Sequence, residues 1–170
     1  GGAGKTPFVA LISNLLSQNK IPHAVVSRGY KKTKRGSVVL NNKALKRLSP
    51  SLVGDEPYML GKALAPVPVF VGNKLQSIRS IEELDAFSLA LVDDGFQSFK
   101  IKKNINILLI DLSLHLKKYK LLPIGFLREP LHQMQRANVV VFTKTNLCKA
   151  AELEEKKKKF LKFIHPNCSL

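Results

Sequence analysis

The chain begins with a glycine-rich segment containing a lysine, Gly1-Gly2-Ala3-Gly4-Lys5-Thr6-Pro7. Glycines at such spacing let backbone N–H groups turn toward phosphate oxygens, the lysine reaches the β- and γ-phosphates, and the threonine hydroxyl can hold Mg²⁺. Apolar residues follow at positions 8, 9, 11, 12, 15 and 16, a spacing that predicts a helix over 8–19. The segment therefore indicates the second half of a P-loop opening onto a helix N-terminus, where an anion is favoured. A flexible glycine-rich end before an ordinary helix is the alternative.

The segment lacks the first part of a P-loop. We expect the strand that feeds the loop, and the first loop residues, to lie upstream of Gly1. The sequence is therefore expected to be a fragment of a longer protein.

The composition of the chain limits its class. Its 170 residues fit one domain over 1–170, and 45% hydrophobic residues can form a core. The net charge of +16 fits a nucleic-acid, anionic-membrane or phosphorylated partner, or only a solvated lysine-rich surface. The lysine runs at 31–35 and 156–159 contain no aromatic residues for base stacking, so no nucleic-acid partner is expected. No apolar run approaches 18 residues, so no transmembrane helix is expected.

Apolar strands alternate with helical segments along the chain. Strands are predicted over 24–26, 37–40, 67–71, 87–92, 105–110 and 139–142. Helices are predicted over 58–64, 75–84, 131–136 and 152–163, the last with its lysines on the outer face. This order indicates an α/β fold with a mostly parallel sheet and helices on both faces. Ser27-Arg28, Asp93-Asp94 and Asp111 follow strands and should share the P-loop's rim, although Asp111 reads more simply as a strand cap.

The acidic pair Asp93-Asp94 follows the apolar run Leu89–Val92 and precedes Gly95. An acid after an apolar strand is the Walker B arrangement, which holds Mg²⁺ directly or through water. A strand-ending Asp-Gly turn is the structural alternative. The P-loop upstream favours the metal interpretation.

A second acidic pair, Asp55-Glu56, lies between Gly54 and Pro57. It fits a general base for an acceptor hydroxyl, which phosphoryl transfer requires. It equally fits a helix start, where acidic residues favour the dipole. Arg128 presents the same choice between a transferring phosphate and a surface pair with Glu129.

Five motifs in one order resemble the tetraacyldisaccharide 4′-kinase family, the lipid A 4′-kinases of Gram-negative bacteria. They span residues 1 to about 145 and read Gly-Gly-Ala-Gly-Lys-Thr-Pro (1–7), Val-Ser-Arg-Gly-Tyr (26–30), Gly-Asp-Glu-Pro (54–57), Asp-Asp-Gly-Phe-Gln (93–97) and Leu-Pro-Ile-Gly-Phe-Leu-Arg-Glu-Pro (122–130). The resemblance implies a P-loop kinase fold. It also implies transfer of the ATP γ-phosphate to the 4′-hydroxyl of a tetraacylated glucosamine disaccharide 1-phosphate. The implied location is the cytoplasmic face of the inner membrane, and the implied partners are the lipid A precursor and the anionic membrane surface.

Site residues follow from the motifs and the resemblance together. The predicted nucleotide ligands are Gly1, Gly2, Ala3, Gly4, Lys5 and Thr6, the predicted catalytic residues are Asp55, Lys5 and Arg128, and the predicted Mg²⁺ residues are Thr6, Asp93, Asp94 and Glu56. The resemblance implies that Asp55 is the catalytic base, with ATP and Mg²⁺ as cofactors.

The chain departs from the family pattern at three points. Ser98 follows the Asp-Asp-Gly-Phe-Gln run where the family usually has His. The family Arg after the strand at 67–71 has no clear counterpart, and Lys74 and Arg79 are the candidates. The His that supports the family's base belongs to a C-terminal lobe, which is expected to lie beyond this chain.

Two other classes of protein fit part of the sequence. A deviant-Walker partner-switching ATPase also carries Gly-Gly-x-Gly-Lys-Thr, but the Gly-Asp-Glu-Pro and Leu-Arg-Glu-Pro runs argue against it. A nucleic-acid-binding module rests on charge alone, and it would show salt-sensitive binding.

Overall fold

The computed structural model describes residues 2–29 and 37–170, so the basic run at 31–35 lies outside the described residues. It contains two compact units, one formed by Lys5–Ile101 and the other by Gly1–Gly4 with Lys102–Leu170. Each unit is described by itself below. The single domain expected over 1–170 stays a prediction.

The Lys5–Ile101 unit is built on a four-stranded sheet. Its strands, in the spatial order β2-β3-β1-β4, are β1 (His23–Ser27), β2 (Val38–Leu40), β3 (Val69–Val71) and β4 (Leu89–Val92). Strand β1 is parallel to both β3 and β4, whereas β2 is antiparallel to β3. All five residues of β1 are buried, as expected for a central parallel strand covered on both faces.

Pro68, inside the predicted strand 67–71, is compatible with a first-residue position or with an edge strand. The structure places β3 between β2 and β1, so the edge position is wrong. Pro68 directly precedes β3, and its carbonyl accepts a hydrogen bond from the Val25 N–H at 3.0 Å. A residue without an N–H is tolerated there because its carbonyl alone joins the ladder.

The described residues of this unit, 5–29 and 37–101, form five helices: α1 (Lys5–Gln18), α2 (Asn42–Leu45), α3 (Pro50–Val53), α4 (Asp55–Leu64) and α5 (Lys74–Leu84). Helices α1 and α4 both begin earlier than the apolar spacing predicted, because their first turns are polar. The stretch 41–53 is polar and poorly periodic, so its sequence predicts no helix, but it forms α2 and α3.

Neighbouring residues of β1 pack into different cores. Val25 belongs to a cluster that includes Leu60 and Leu64 of α4, whereas Ala24 and Val26 belong to a cluster with Ile81 of α5. Successive side chains of a strand point to opposite faces, so helices cover both sides of this sheet. The predicted α/β fold with a mostly parallel sheet is confirmed.

The second unit contains a two-stranded parallel sheet, β5 (Ile107–Asp111) and β6 (Val139–Thr143). Around it lie three 3₁₀ helices (Leu116–Lys118, Leu131–Arg136, Thr145–Leu147) and the helix α6 (Ala150–Leu161). The segment 131–136 is therefore a 3₁₀ helix. Within residues 2–29 and 37–170, no helix is long and apolar enough to cross a membrane.

The prediction that α6 carries all of its lysines on the outer face is wrong for Lys156. This side chain is 2% exposed, and its ammonium donates to the Leu112 carbonyl at 2.6 Å and pairs with Glu152 at 2.7 Å. Lys156 lies four residues before the buried Phe160, and side chains at that spacing share one helix face. Lys158 and Lys159 are exposed, as predicted.

Candidate active site

Two residues of the glycine-rich loop have backbone angles that favour glycine. Gly2 and Gly4 have φ angles of 88° and 82°, a left-handed conformation that glycine adopts without steric cost. A Cβ added at either glycine would meet no atom within 4 Å, so the loop borders open space. In the same unit, the Thr143 hydroxyl donates to the Ala3 carbonyl at 3.1 Å and ties the loop to the end of β6.

Lys5, the first residue of α1, lies beside the acidic pair that follows β4. Its Nζ is 3.5 Å from Oδ1 of Asp94, and both side chains remain partly exposed, at 37% and 41%. An exposed ion pair of this kind contributes little to stability.

Thr6 joins three parts of this unit. Its Oγ1 donates to Oε1 of Glu56 at 2.5 Å and lies 3.3 Å from Oδ2 of Asp93. Glu56 belongs to the first turn of α4, and Asp93 directly follows β4. The Thr6 hydroxyl thus brings together the first turns of α1 and α4 and the carboxyl end of β4.

Asp93 is a buried carboxylate, 7% exposed. Its Oδ1 has no hydrogen-bond partner among the residues that the structure describes. Burial and the carboxylates of Glu56 and Asp94 raise the pKa of Asp93, against the lowering effect of the Thr6 hydrogen bond and Lys5. A buried, unsatisfied acidic oxygen is unfavourable for stability and is typical of a functional site.

The oxygen atoms around Thr6 are suitable ligands for Mg²⁺, because they belong to a hydroxyl group and to carboxylates. In addition, Asp93 Oδ1 lacks a hydrogen-bond partner in the described part of the chain. In residues 2–29 and 37–170, no three His, Cys, Asp or Glu side chains form a metal-holding group. Mg²⁺ in kinases is typically held by one or two carboxylates together with substrate phosphates, so a complete protein cage is not required.

Asp55 is the first residue of α4 and is exposed. Gly54 precedes it with φ 97° and ψ 144°, a backbone region that is essentially restricted to glycine. The neighbouring Glu56 contacts Thr6, so the candidate base lies one residue from a group at the nucleotide motif.

Lys74 has a position that the sequence did not settle. It begins α5, directly after the turn that follows β3, and its Nζ donates to the Asp94 carbonyl at 2.5 Å. Arg79 is an exposed residue in the middle of α5. Of the two candidates for the basic residue after this strand, Lys74 is the one beside the acidic pair.

Ser27 and Ser98 are two further residues that the sequence singled out. Ser27 is the last residue of β1 and Asp93 directly follows β4, so both lie at the carboxyl ends of neighbouring parallel strands. There the Asp93 N–H donates to the Val26 carbonyl at 2.9 Å. Ser98 lies in the following turn, where its N–H donates to the Gly95 carbonyl at 2.9 Å.

Arg128 belongs to the second unit and is exposed. In that unit the Glu129 carboxylate pairs with Arg136. A role for Arg128 at a phosphate stays a prediction.

Asp111 caps the end of β5, as its sequence position indicated. Its carboxylate accepts hydrogen bonds from the Ser113 N–H at 3.0 Å, the Ser113 hydroxyl at 2.6 Å and the Lys144 ammonium at 2.7 Å. Burial acts to raise the pKa of Asp111, but the hydrogen bonds from Lys144 and Ser113 outweigh it and lower the pKa below its ordinary value.

A helix that opens from a glycine-rich loop, acids after a parallel strand and a mostly parallel sheet define a P-loop kinase-like α/β protein. The chain belongs to the tetraacyldisaccharide-1-P 4′-kinase family, LpxK, which it matches over residues 1–169. The resemblance found in its motifs is therefore confirmed.

Similar proteins come from several bacteria. The chain is 38% identical over 167 residues to tetraacyldisaccharide 4′-kinase of Elusimicrobium minutum, covering 95% of this chain and 43% of that protein. It is 36% identical to the Aquifex aeolicus protein of that name, covering 84% and 44%. The crystal structure of LpxK from Aquifex aeolicus in complex with ATP has a TM-score of 0.73 and 34% identity, covering 86% of this chain and 46% of that one.

The chain spans less than half the length of these relatives. The family match gives no support to the deviant-Walker alternative.

Proposed function

We propose that the protein to which this chain belongs transfers the γ-phosphate of ATP to the 4′-hydroxyl of a tetraacylated glucosamine disaccharide 1-phosphate. The observation that carries the proposal is the contact of Thr6 with both Glu56 and Asp93. It joins the residue expected to bind Mg²⁺, an acid next to the candidate base and the Walker B acid. The names of the related proteins support the choice of acceptor.

ATP and Mg²⁺ are the proposed cofactors. Gly1, Gly2, Ala3, Gly4 and Lys5 would bind the phosphates, and Thr6, Asp93, Asp94 and Glu56 would hold Mg²⁺, directly or through water. When bound, the metal neutralises charge that develops on the phosphates. The ATP bound to LpxK from Aquifex aeolicus supports the nucleotide.

Lys5 and Lys74 both have their ammonium groups at Asp94. Cations near a transferring phosphoryl group stabilise the negative charge on its oxygens. We propose that Lys5 binds the phosphates, because it belongs to the P-loop motif. We propose that Lys74 stabilises the same negative charge, because its ammonium lies beside Asp94 as that of Lys5 does. Arg128 is proposed as a further phosphate contact on its motif alone.

Asp55 is proposed as the general base. A sugar hydroxyl has a pKa far above 7, so it attacks efficiently only when its proton is removed as the new bond forms. A carboxylate at the start of α4 can accept that proton, and such a base contributes roughly 10²–10⁴-fold.

The acceptor is a lipid, so we propose that the protein works at the cytoplasmic face of the bacterial inner membrane, as a peripheral or N-terminally anchored protein. A net charge of +16 favours contact with anionic lipids. The proposal includes no nucleic-acid partner.

The test uses the full-length protein, ATP and the detergent-dispersed acceptor. We expect Asp55→Asn to lower kcat by about 10²-fold or more while ATP affinity changes little. Glu83→Gln removes an exposed carboxylate of α5 and serves as the matched control with near-normal kcat. Absence of phosphate transfer by the wild-type protein contradicts the proposed function. A normal kcat for Asp55→Asn would show that Asp55 is not the general base and only begins helix α4.

The same assay separates Lys74 from Arg79. Loss of one preorganised donor to a developing charge lowers kcat by about 10²–10³-fold, which we expect for Lys74→Gln. Arg79→Gln removes an equal charge from the same helix and should leave kcat nearly unchanged. Equal effects of the two substitutions would remove Lys74 from the site.

A further inference from the structure

A short loop in the second unit exposes several large apolar side chains. Leu121, Leu122, Ile124 and Phe126 are 45%, 58%, 79% and 55% exposed. Single exposed apolar residues are ordinary, but a cluster on one short loop marks an interaction surface. We call residues 117–127 the apolar loop.

Backbone hydrogen bonds fix the shape of the apolar loop. The Phe126 N–H donates to the Lys118 carbonyl and the Leu127 N–H to the Lys120 carbonyl, both at 2.9 Å. Gly125 is buried, and a Cβ added there would lie 2.3 Å from the Lys120 carbonyl oxygen, so no side chain fits between these strands of backbone. The apolar side chains are thus presented to solvent by an ordered scaffold.

The charged residues within the apolar loop have one sign. Lys117, Lys118 and Lys120 are exposed, and the sequence contains no Asp or Glu from 112 to 128. The ammonium of Lys118 lies 5.7 Å from the centroid of the Phe126 ring. An apolar surface bordered by lysines complements an anionic membrane surface, where apolar groups enter the acyl region and lysines meet the headgroups.

We propose that the apolar loop inserts into the surface of an anionic lipid bilayer, with Ile124 and Phe126 entering deepest and the three lysines on the headgroups. A binding groove on a protein would accept the apolar residues without needing the three lysines beside them. The preference for a bilayer over a protein partner rests on the proposed function, because its acceptor is a membrane lipid. The exposure and the charge of the loop do not depend on that function.

Binding of the full-length protein to vesicles tests the proposal. Vesicles of phosphatidylcholine with about 30% phosphatidylglycerol and vesicles of phosphatidylcholine alone are compared by flotation. Burial of one large apolar side chain changes partitioning by roughly 10–100-fold, so we expect Ile124→Ser with Phe126→Ser to weaken binding at least tenfold. Leu147→Ser is the matched control, since Leu147 is 66% exposed in the same unit but outside the loop, and it should change binding less than twofold.

The basic border is tested separately. Each lysine near an anionic surface contributes about fivefold, so Lys117→Gln, Lys118→Gln and Lys120→Gln together should weaken binding to the anionic vesicles by about 100-fold at low salt. High salt should remove most of the difference, and binding to neutral vesicles should not change. Equal binding of all variants to the anionic vesicles contradicts the proposal.

An inserted probe reports where the loop lies. The chain contains no tryptophan, so Phe126→Trp adds an indole whose emission is obtained by difference from the wild type. A blue shift on addition of anionic vesicles, with quenching by brominated acyl chains, supports insertion. Emission that is unchanged by vesicles, or that shifts with protein concentration alone, overturns the proposal, and the latter result identifies a second copy of the protein as the occupant.

Phosphate transfer to detergent-dispersed acceptor is measured in parallel with the wild-type protein. Transfer without loop-dependent vesicle binding removes this inference and leaves the proposed function. Loop-dependent vesicle binding without phosphate transfer removes the proposed function and leaves the insertion of the apolar loop.

Discussion

At the scale of single residues, the position of the Asp93 carboxylate destabilises the folded protein. Its carboxylate is buried next to Glu56 and Asp94, and its Oδ1 lacks a partner within the described residues. Burial and the neighbouring carboxylates raise the pKa of Asp93 in the folded protein, so its charged form is better accommodated in the unfolded chain. A bound cation would compensate this charge.

Asp93→Asn therefore has two expected effects. Without Mg²⁺ the variant should unfold at a higher temperature than the wild type at pH 7, because a buried charge is removed. In the phosphotransfer assay the Mg²⁺ concentration for half-maximal turnover should rise about 10–100-fold. Asp85→Asn, at an exposed helix end whose left-handed backbone suits either residue, is the control. Wild-type Mg²⁺ dependence in Asp93→Asn would exclude Asp93 from the metal site.

At the scale of elements, helix α6 packs a lysine as if it were an apolar residue. The ammonium of Lys156 is satisfied by the Leu112 carbonyl and Glu152, while its stem lies on the buried face with Phe160. The Cys148 thiol also donates to the Leu112 carbonyl, at 2.9 Å, so this acceptor keeps a partner without the lysine. The stem, more than the charge, should stabilise this helix.

Two substitutions at Lys156 separate these contributions. Lys156→Ala leaves a cavity and should lower the free energy of unfolding by about 2–5 kcal/mol, as for other large buried side chains. Lys156→Met keeps the volume and should change it by less than about 1.5 kcal/mol, since replacing a buried charge by an apolar group of similar size is often neutral. Urea unfolding of both variants decides the point. Equal losses would show that the ammonium contacts dominate.

At the scale of the whole molecule, positive charge prevails, with 28 Lys and Arg against 12 Asp and Glu. Protonation of carboxylates in acid increases the self-repulsion of such a chain. Asp111 adds a specific contribution, because its pKa is lowered in the folded state by Lys144 and Ser113. The stability from this group is complete above the ordinary carboxyl pKa of about 3.8 and is lost as pH falls through the lower value.

We therefore expect the free energy of unfolding to decrease as pH falls below about 4. Asp111→Asn should be less stable than the wild type at pH 7, and the difference should narrow in acid. Glu83→Gln, which removes an exposed carboxylate, should keep the wild-type pH profile. Urea unfolding at pH values from 7 to 3 gives the measurement. A constant difference between Asp111→Asn and the wild type at all pH values would contradict the assignment.

The amino-acid sequence determined the order of strands and helices, the P-loop motif and the family. The apolar run 24–26 is a local signal, because a central parallel strand is buried continuously and its apolar run is visible without any partner. The starts of α1 and α4 were less predictable. Their first turns contain Lys-Thr-Pro and Asp-Glu-Pro, which lack the apolar spacing of a helix. Proline is nevertheless tolerated in the first turn of a helix.

Tertiary structure alone decided which side chains meet. Thr6 contacts acids 50 and 87 residues away, and no local pattern encodes contacts at such separations. The contact of Lys74 with the Asp94 carbonyl distinguished it from Arg79. Lys156 can be buried because a carbonyl 44 residues earlier in the chain accepts a hydrogen bond from its ammonium. Sequence periodicity specifies the face of an element, whereas the polar partners that satisfy a buried group come from distant segments brought together by packing.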